Sequence, residues 1–153
     1  MAEKKEHGDL RKIIKEWVDL NMNNFDLTII EDDPGNSLGS GVPKIGGCIP
    51  DLYARSMKHG IEIIGEAKTS NDIFNNHTEF QIKSYIEHLR IYKSKGYLIV
   101  AVAPHDMEEM RNFLRNIVRK INLNLCFNIF VIDNIFKEIT KVYDVRYSSF
   151  PQN

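Results

Sequence analysis

Hydrophobic and polar positions along the chain follow two periods, one typical of helices and one typical of strands. The first helical pattern covers residues 7–24 and has the i, i+3, i+4, i+7 spacing of a helix with one buried face. Its apolar positions are Leu10, Ile13, Ile14 and Trp17. Further helices are predicted from Thr78 to about Lys93 and from Asp106 to Ile121. Strands are predicted at 26–31, 48–54, 61–67, 97–103, 128–132 and, as an edge strand, 140–146.

The order of these elements predicts the fold class. The strands 48–54 and 61–67 are separated by a short polar turn and are expected to pair as a hairpin. The later strands are separated by helices, which is typical of parallel pairing. We therefore expect one domain over residues 1–153, an α/β protein with a mixed sheet of about five strands flanked by helices.

Polar residues near the predicted helix ends suggest how these helices begin and end. Thr78 followed by Gln81 matches a capping box, in which the two side chains satisfy the first backbone N–H groups. Gly96 is expected to stop that helix, and Asp106 is expected to cap the next one.

A long segment rich in Gly, Ser, Pro and Asp precedes Pro50. It contains the run GNSLGSG but no Gly-Lys-Ser/Thr at its end, so it does not predict a phosphate-binding P-loop. We expect residues 35–47 to form a flap before Pro50, and the sequence leaves open whether this flap contacts a ligand backbone or is a plain connector.

The composition restricts the cellular setting of the protein. Charged residues make up 27% and no apolar run approaches the length of a membrane span, so a protein without a membrane segment is expected. The charged start lacks a secretory signal pattern, and Cys48 and Cys126 are expected to be free thiols of a cytoplasmic protein. The net charge of −1 speaks against binding nucleic acid through a wholly basic surface, although a local basic face remains compatible with it.

Three residues around the predicted hairpin carry the candidate chemistry. Glu66 and Lys68 lie two apart on one strand and therefore share a face. Asp51 begins the preceding strand and can approach Glu66 where the sheet bends or splays at its end. Two carboxylates in a partly buried site repel each other, and a divalent cation removes that repulsion. Mg²⁺ prefers such oxygen ligands, and the Ala67 carbonyl is the natural third one.

The pattern Pro50-Asp51, then Glu66-Ala67-Lys68, resembles the PD-(D/E)xK nuclease superfamily. That superfamily includes restriction endonucleases, Holliday-junction resolvases, RecB-like exonucleases and VRR-type nucleases. Gln81 and Tyr85 resemble the QxxxY element of RecB-like members, and the resemblance covers roughly residues 6 to 135.

The resemblance implies a restriction-endonuclease-like core and a nuclease that uses Mg²⁺, or Mn²⁺ as a substitute. Asp51, Glu66 and the Ala67 carbonyl are the implied metal ligands, and Lys68 the residue that acts on the water or the phosphate. The expected activity is endonucleolytic hydrolysis of branched or otherwise structured DNA, with RNA not excluded. A non-cleaving module that binds nucleic acid or protein on the same fold is the alternative.

Several assignments have alternatives that the sequence leaves open. Gln81 either joins the active site or only completes the helix cap, and Tyr85 either joins the site or lies at the edge of the core. A first-helix acid also belongs to the family pattern, and Glu6 is favoured as that metal ligand over Asp9 and Glu16. The alternative is that all three acids are solvated.

The resemblance and the small size also suggest an assembly and an origin. Cutting two strands symmetrically needs two active sites, so a homodimer is expected. Its candidate surfaces are the helix at residues 106–121 and the C-terminal strand. A viral or mobile-element origin is compatible with the single-domain build.

Overall fold

The computed structural model describes residues 2–31, 41–73, 75–121 and 125–145. The helices are α1 (Ala2–Asn21), α2 (Asn76–Ile91) and α3 (Met107–Ile121). The strands are β1 (Thr28–Glu31), β2 (Leu52–Ser56), β3 (Ile61–Ala67), β4 (Lys95–Val102), β5 (Asn128–Asp133) and β6 (Ile139–Tyr143). Two short 3₁₀ turns, Ser70–Asp72 and Pro104–Asp106, follow β3 and β4.

The described strands form one mixed sheet in the order β1-β2-β3-β4-β5-β6. The outer pairs β1–β2, β2–β3 and β5–β6 are antiparallel, whereas β3–β4 and β4–β5 are parallel. Parallel neighbours need a crossover connection, which α2 and α3 supply. The expected α/β class with a mixed, helix-flanked sheet is confirmed, with six strands in place of about five.

Alternation along the strands divides the core into two layers. On β3, Ile63 packs in the layer with α1, and Ile64 packs in the layer with α2 and α3. The α1 layer is closed by Leu10 and Ile14, both fully buried, at the helical spacing that the sequence showed. The sheet thus has α1 on one face and α2 and α3 on the other.

Glycine lets α1 approach the sheet closely at one point. A Cβ placed on Gly65 of β3 would lie 2.6 Å from Cγ2 of Ile14 on α1. Gly65 pairs with Leu52 on β2, directly before Glu66. The close packing of α1 therefore supports the strand segment that carries the candidate site.

The first helix and the second strand differ from the predicted boundaries. The helix covers Ala2–Asn21 and not 7–24, and in its last turn the Asn21 side chain donates to the Trp17 carbonyl at 2.9 Å. Strand β2 begins at Leu52 and not at Cys48, because Cys48 pairs across a tight turn with Ile45. Asp51 consequently lies one residue before β2.

The predicted start of the second helix was wrong. Asn75 is its N-cap and accepts from the Thr78 N–H at 2.7 Å. The hydroxyl of Thr78 instead donates to the Asp72 carbonyl. Thr78 and Gln81 therefore form no capping box, and Gln81 lies one turn further into the helix than a cap partner would.

The predicted role of Gly96 was also wrong. The helix ends at Ile91, and Gly96 lies inside β4 at a φ of 155°. A Cβ at this position would lie 2.0 Å from the Glu62 carbonyl oxygen of β3. Gly96 is required for the close pairing of the two parallel strands at this point.

The remaining boundaries differ by small amounts. Strand β4 begins two residues earlier than predicted, β5 includes Asp133, and β6 ends at Tyr143 and not at Arg146. Asp106 precedes α3 as predicted, but its Oδ2 accepts from the Ser70 hydroxyl at 2.6 Å. Of the predicted flap, residues 35–40 lie outside the described ranges. None of the helices in those ranges has the length and apolar character needed to cross a membrane.

Candidate active site

Four polar side chains converge at the carboxyl end of β3 in the described part of the chain. Asp51 precedes β2, Glu66 lies on β3, Lys68 follows β3, and Gln81 lies on α2. All four are buried, with exposed fractions of 4–8%. Burying three ionisable groups together is costly unless each has polar partners, so the contacts among them define the site.

Asp51 is held by the backbone of Ala67. The Ala67 N–H donates to Oδ2 of Asp51 at 2.8 Å. The N–H of the next residue, Lys68, donates at 3.0 Å to the carbonyl of Ala101, which lies on β4 in the last pair of the parallel β3–β4 ladder. The Ala67 C=O points opposite to the Lys68 N–H of the same peptide group, and therefore away from β4 and toward the side of β3 on which β2 lies.

Pro50 lies where β2 would continue toward the end of β3. The β2–β3 register ends at the Leu52–Gly65 pair, and two further steps of it would set Pro50 opposite Ala67. Proline has no N–H to donate to a carbonyl. An Ala67 oxygen in this register would therefore receive no ladder bond from the residue opposite it.

Glu66 accepts hydrogen bonds at both carboxylate oxygens. The Tyr85 hydroxyl donates to Oε2 at 3.2 Å, and the Asp51 N–H approaches the same oxygen at 3.4 Å. The Gln81 amide donates to Oε1 at 3.1 Å. Burial and then the negative charge of Asp51 nevertheless raise the pKa of Glu66 to about 8, although Lys68 opposes them.

Gln81 links the ammonium group to the carboxylate. Its Oε1 accepts from Nζ of Lys68 at 2.5 Å, while its Nε2 donates to Glu66 and, at 3.1 Å, to the hydroxyl of Tyr85. The Lys68 Nζ lies 3.6 Å from Oε1 of Glu66. Of the two roles that the sequence left open for Gln81, the geometry places its side chain in the site, because Asn75 caps the helix.

Tyr85 also belongs to this cluster. Its ring is fully buried, and its hydroxyl donates to Glu66 while it accepts from Gln81. Burial and then the charge of Glu66 raise the pKa of Tyr85, so the hydroxyl stays protonated as a donor. The i, i+4 spacing of Gln81 and Tyr85 on α2 brings both side chains to the same carboxylate.

His7 contacts the site, although the sequence patterns did not predict it there. Its Nε2 lies 3.3 Å from Oδ2 of Asp51, and the hydrogen bond to Asp51 raises the pKa of His7. The available signal was its place on α1 three residues before Leu10, on the helix face that packs toward the sheet.

The first-helix acids lie elsewhere. Glu6 is half-buried and has no hydrogen bond or ion pair with a site residue in the described ranges. Asp9 is exposed, and Glu16 lies 3.6 Å from Nζ of Lys137. The preference for Glu6 as a metal ligand stays a prediction without a contact that supports it.

The donors at this site suit a hard divalent cation. Asp51 and Glu66 are buried carboxylates, and burial, followed by the negative charge of Asp51, raises the pKa of Glu66. Oxygen ligands of this kind, with a backbone carbonyl such as that of Ala67, are those that Mg²⁺ prefers. Across residues 2–31, 41–73, 75–121 and 125–145, no group of three or more His, Cys, Asp or Glu is arranged to hold a metal. A cation here therefore depends on two carboxylates, one carbonyl and water.

Comparisons of the chain with protein-family models, with curated proteins and with solved structures found no match. The fold and the site define an α/β protein with two buried carboxylates and one ammonium group at the carboxyl end of a central strand. The grounds for inferring what this arrangement does are its geometry and the motif resemblance.

Proposed function

We propose that this protein is a metal-dependent nuclease with a restriction-endonuclease-like core that hydrolyses DNA phosphodiester bonds. One observation carries the proposal: Asp51 and Glu66 are buried side by side, with the Lys68 ammonium 3.6 Å from Glu66. Their order and spacing along the chain resemble the PD-(D/E)xK pattern, which is the second support.

Asp51, Glu66 and the Ala67 carbonyl would hold Mg²⁺, or Mn²⁺ in its place. When bound, the ion would supply Lewis-acid polarisation of a phosphoryl oxygen and would lower the pKa of a water at the site. Lys68 contributes a compact positive charge that stabilises the negative charge developing on the phosphate. Gln81 keeps that ammonium oriented, because its Oε1 accepts from Nζ while its Nε2 donates to Glu66.

The test is a cleavage assay on a panel of linear, nicked, flapped, four-way-junction and single-stranded DNAs and RNA with Mg²⁺ or Mn²⁺. Asp51→Asn and Glu66→Gln keep the shape of each side chain and remove its charge. Each is expected to reduce cleavage by at least about 100-fold, because charge stabilisation at a reacting centre typically has this magnitude. The exposed Glu109 provides a matched control, and Glu109→Gln is expected to retain full activity.

Circular dichroism should show that the site variants remain folded. Metal-dependent cleavage retained at wild-type rate by both folded site variants would contradict the proposal. An absence of cleavage by the wild type on every substrate would also count against it.

A non-cleaving nucleic-acid- or protein-binding module is the second candidate. One observation favours it: the Lys68 ammonium already lies within 3.6 Å of Glu66 and partly balances its charge without a metal. Calorimetric titration with Mn²⁺ or Ca²⁺ separates the two candidates. Binding that disappears in Glu66→Gln supports the nuclease, and no binding to the wild type supports the module.

A homodimer acting on branched DNA is the proposed working form, because symmetric cutting of two strands needs two sites. Exposed apolar side chains at the β5–β6 turn, Ile135 and Phe136, adjoin the edge strand β6 and suit such contact. Sedimentation at micromolar concentration should show a dimer, and a monomer alone would contradict this part.

The proposed location is the cytoplasm. Cys48 is buried and Cys126 is exposed, and both are free thiols. Free thiols are typical of proteins from a reducing compartment. An exposed thiol that reacts fully with a thiol reagent in freshly lysed cells would support this location.

A further inference from the structure

Two adjoining clefts surround the second half of α2. One, of about 690 Å³, lies between strands β1–β3 and the end of α2, and the other, of about 740 Å³, lies between α2 and α3. Both are lined by Lys44, Ile45, His88 and Tyr92, so they form one continuous groove. We call this surface the α2 groove.

The α2 groove is basic although the whole chain is not. Its described lining residues carry five lysine or arginine charges and two carboxylates, whereas the chain has a net charge of −1. The five cations are Lys44, Arg55, Lys83, Lys93 and Lys120. Such a local excess of positive charge attracts an anionic partner even when the net charge of the whole chain is close to zero.

The two carboxylates of the groove have partners of their own. Glu62 accepts from the Tyr53 hydroxyl at 2.6 Å and lies 2.8 Å from His88 Nε2, and the Ser94 hydroxyl also donates to it. Glu87 pairs with Arg90 on the same helix. The five cations still outnumber these two carboxylates, so the described lining of the groove keeps an excess of positive charge.

Exposed aromatic side chains lie along the same groove. Phe80 is 56% exposed and Tyr92 is 69% exposed. They lie twelve residues apart on the helix and its C-cap, which corresponds to about 18 Å along the axis. Aromatic rings that alternate with cations are the features by which proteins bind single-stranded nucleic acid, with bases stacked and phosphates paired.

The groove begins beside the candidate active site. Phe80 is the neighbour of Gln81, whose side chain contacts Lys68 and Glu66. Gly46 lines the same cleft as Phe80. A Cβ on Gly46 would lie 2.6 Å from Oγ of Ser84, so the loop that carries Gly46 packs directly on α2. A strand that passes the site can therefore continue along α2.

We propose that the α2 groove binds a single strand of nucleic acid, with phosphates on its lysines and bases on Phe80 and Tyr92. This inference rests on the proposed function and specifies its substrate as one with a single-stranded segment. Pairing of a lysine with a carboxylate, such as Lys83 with Glu79 at 2.9 Å, does not prevent this, because exposed ion pairs exchange readily for phosphate.

The test measures binding without cleavage, by fluorescence anisotropy of a labelled twelve-nucleotide oligothymidylate in EDTA. Lys44→Glu combined with Lys120→Glu is expected to weaken binding by about 10-fold or more. The slope of log affinity against log salt concentration should become shallower by about 0.7 for each phosphate that is no longer neutralised. Phe80→Ala and Tyr92→Ala are each expected to weaken binding by about 10-fold. All four residues line the groove, and none of them is one of the candidate site residues.

The matched control is Lys12→Glu, which changes the charge of an exposed residue on α1, across the sheet from the groove. It is expected to weaken binding less than twofold, and an effect equal to that of a groove lysine would overturn the proposal. Equal binding of a duplex of the same length would overturn the single-strand assignment. Oligouridylate offers the same phosphates and stacking bases, and a loss of its binding in the same lysine variants would support the proposal.

A second copy of the chain is the rival occupant of the groove. Sedimentation of Phe80→Ala and Tyr92→Ala tests it: conversion from dimer to monomer with unchanged oligonucleotide affinity would overturn our proposal. If Asp51→Asn abolishes cleavage but the groove variants bind the oligonucleotide as the wild type does, the groove proposal is wrong and the proposed function stands. If the groove variants weaken binding but Asp51→Asn cleaves as fast as the wild type, the proposed function is wrong and the groove proposal stands.

Discussion

The backbone N–H of Ala67 donates a hydrogen bond of 2.8 Å to Oδ2 of Asp51, which fixes the carboxylate at the end of β3. Pro50, opposite Ala67 in the extended register, cannot donate to the Ala67 carbonyl. We predict that Pro50→Ala supplies an N–H that binds the Ala67 oxygen and removes it as a cation ligand. Metal affinity, measured by Mn²⁺ calorimetry, should fall by about 10- to 100-fold, as for other changes to groups that support metal ligands.

The exposed Pro43 provides the control for the loss of a proline ring. Pro43→Ala should leave Mn²⁺ binding unchanged. Thermal unfolding checks that Pro50→Ala is folded, because the loss of a buried ring and the greater freedom of the unfolded chain oppose the gained hydrogen bond. Unchanged Mn²⁺ affinity in folded Pro50→Ala would show that the Ala67 carbonyl is not a ligand.

The sequence predicted the fold class and the position of the acidic pair because both depend on local alternation. Glu66 and Lys68 lie two apart, so a strand at this position brings them to one face whatever the rest of the fold does. Asp51 and Glu66 are the residues that follow the last pair, Leu52–Gly65, of the β2–β3 hairpin, at the end of the sheet where the sequence allowed them to approach each other. The roles of these residues stay predictions.

The missed features depend on contacts between distant segments. Asn75 and Thr78 are both good N-cap residues, and the choice between them depends on the bond from Thr78 to the Asp72 carbonyl. The contact between His7 and Asp51 requires the docking of α1 onto the sheet. No pattern within one segment predicts such contacts, since local propensity is overridden by packing.

The docking of α1 itself gives a second prediction. A Cβ on Gly65 would lie 2.6 Å from Ile14 Cγ2 and 3.3 Å from the Cβ of Leu52. We predict that Gly65→Ala lowers the free energy of unfolding by about 1–3 kcal/mol, because a packed core resists added volume. Urea unfolding measures the change.

Gly8 on the same helix is the matched control, because a Cβ there meets nothing within 4 Å. Gly8→Ala should raise the free energy of unfolding by about 0.5–1 kcal/mol, since alanine loses less backbone freedom in a helix. If Gly65→Ala were neutral or stabilising, the close approach of α1 to β3 would be in error.

The final prediction concerns Glu62, away from the candidate site, and its dependence on pH. Burial raises the pKa of Glu62, but hydrogen bonds from Ser94, Tyr53 and His88 outweigh it and hold the pKa below its ordinary value of 4.5. The folded state therefore favours the ionised form. Its stabilising contribution is complete above pH 4.5 and is lost as pH falls through the lower folded value.

Glu62→Gln removes this contribution, because one amide oxygen cannot accept from all three donors and the amide N–H₂ opposes them. We predict that the variant is less stable than the wild type by about 2 kcal/mol at pH 7, as expected for hydrogen bonds to a charged group. The difference should shrink as pH falls below 4.5. Urea unfolding at pH 7 and at pH 3 measures it, and a difference that widens in acid would show that the network does not favour ionised Glu62.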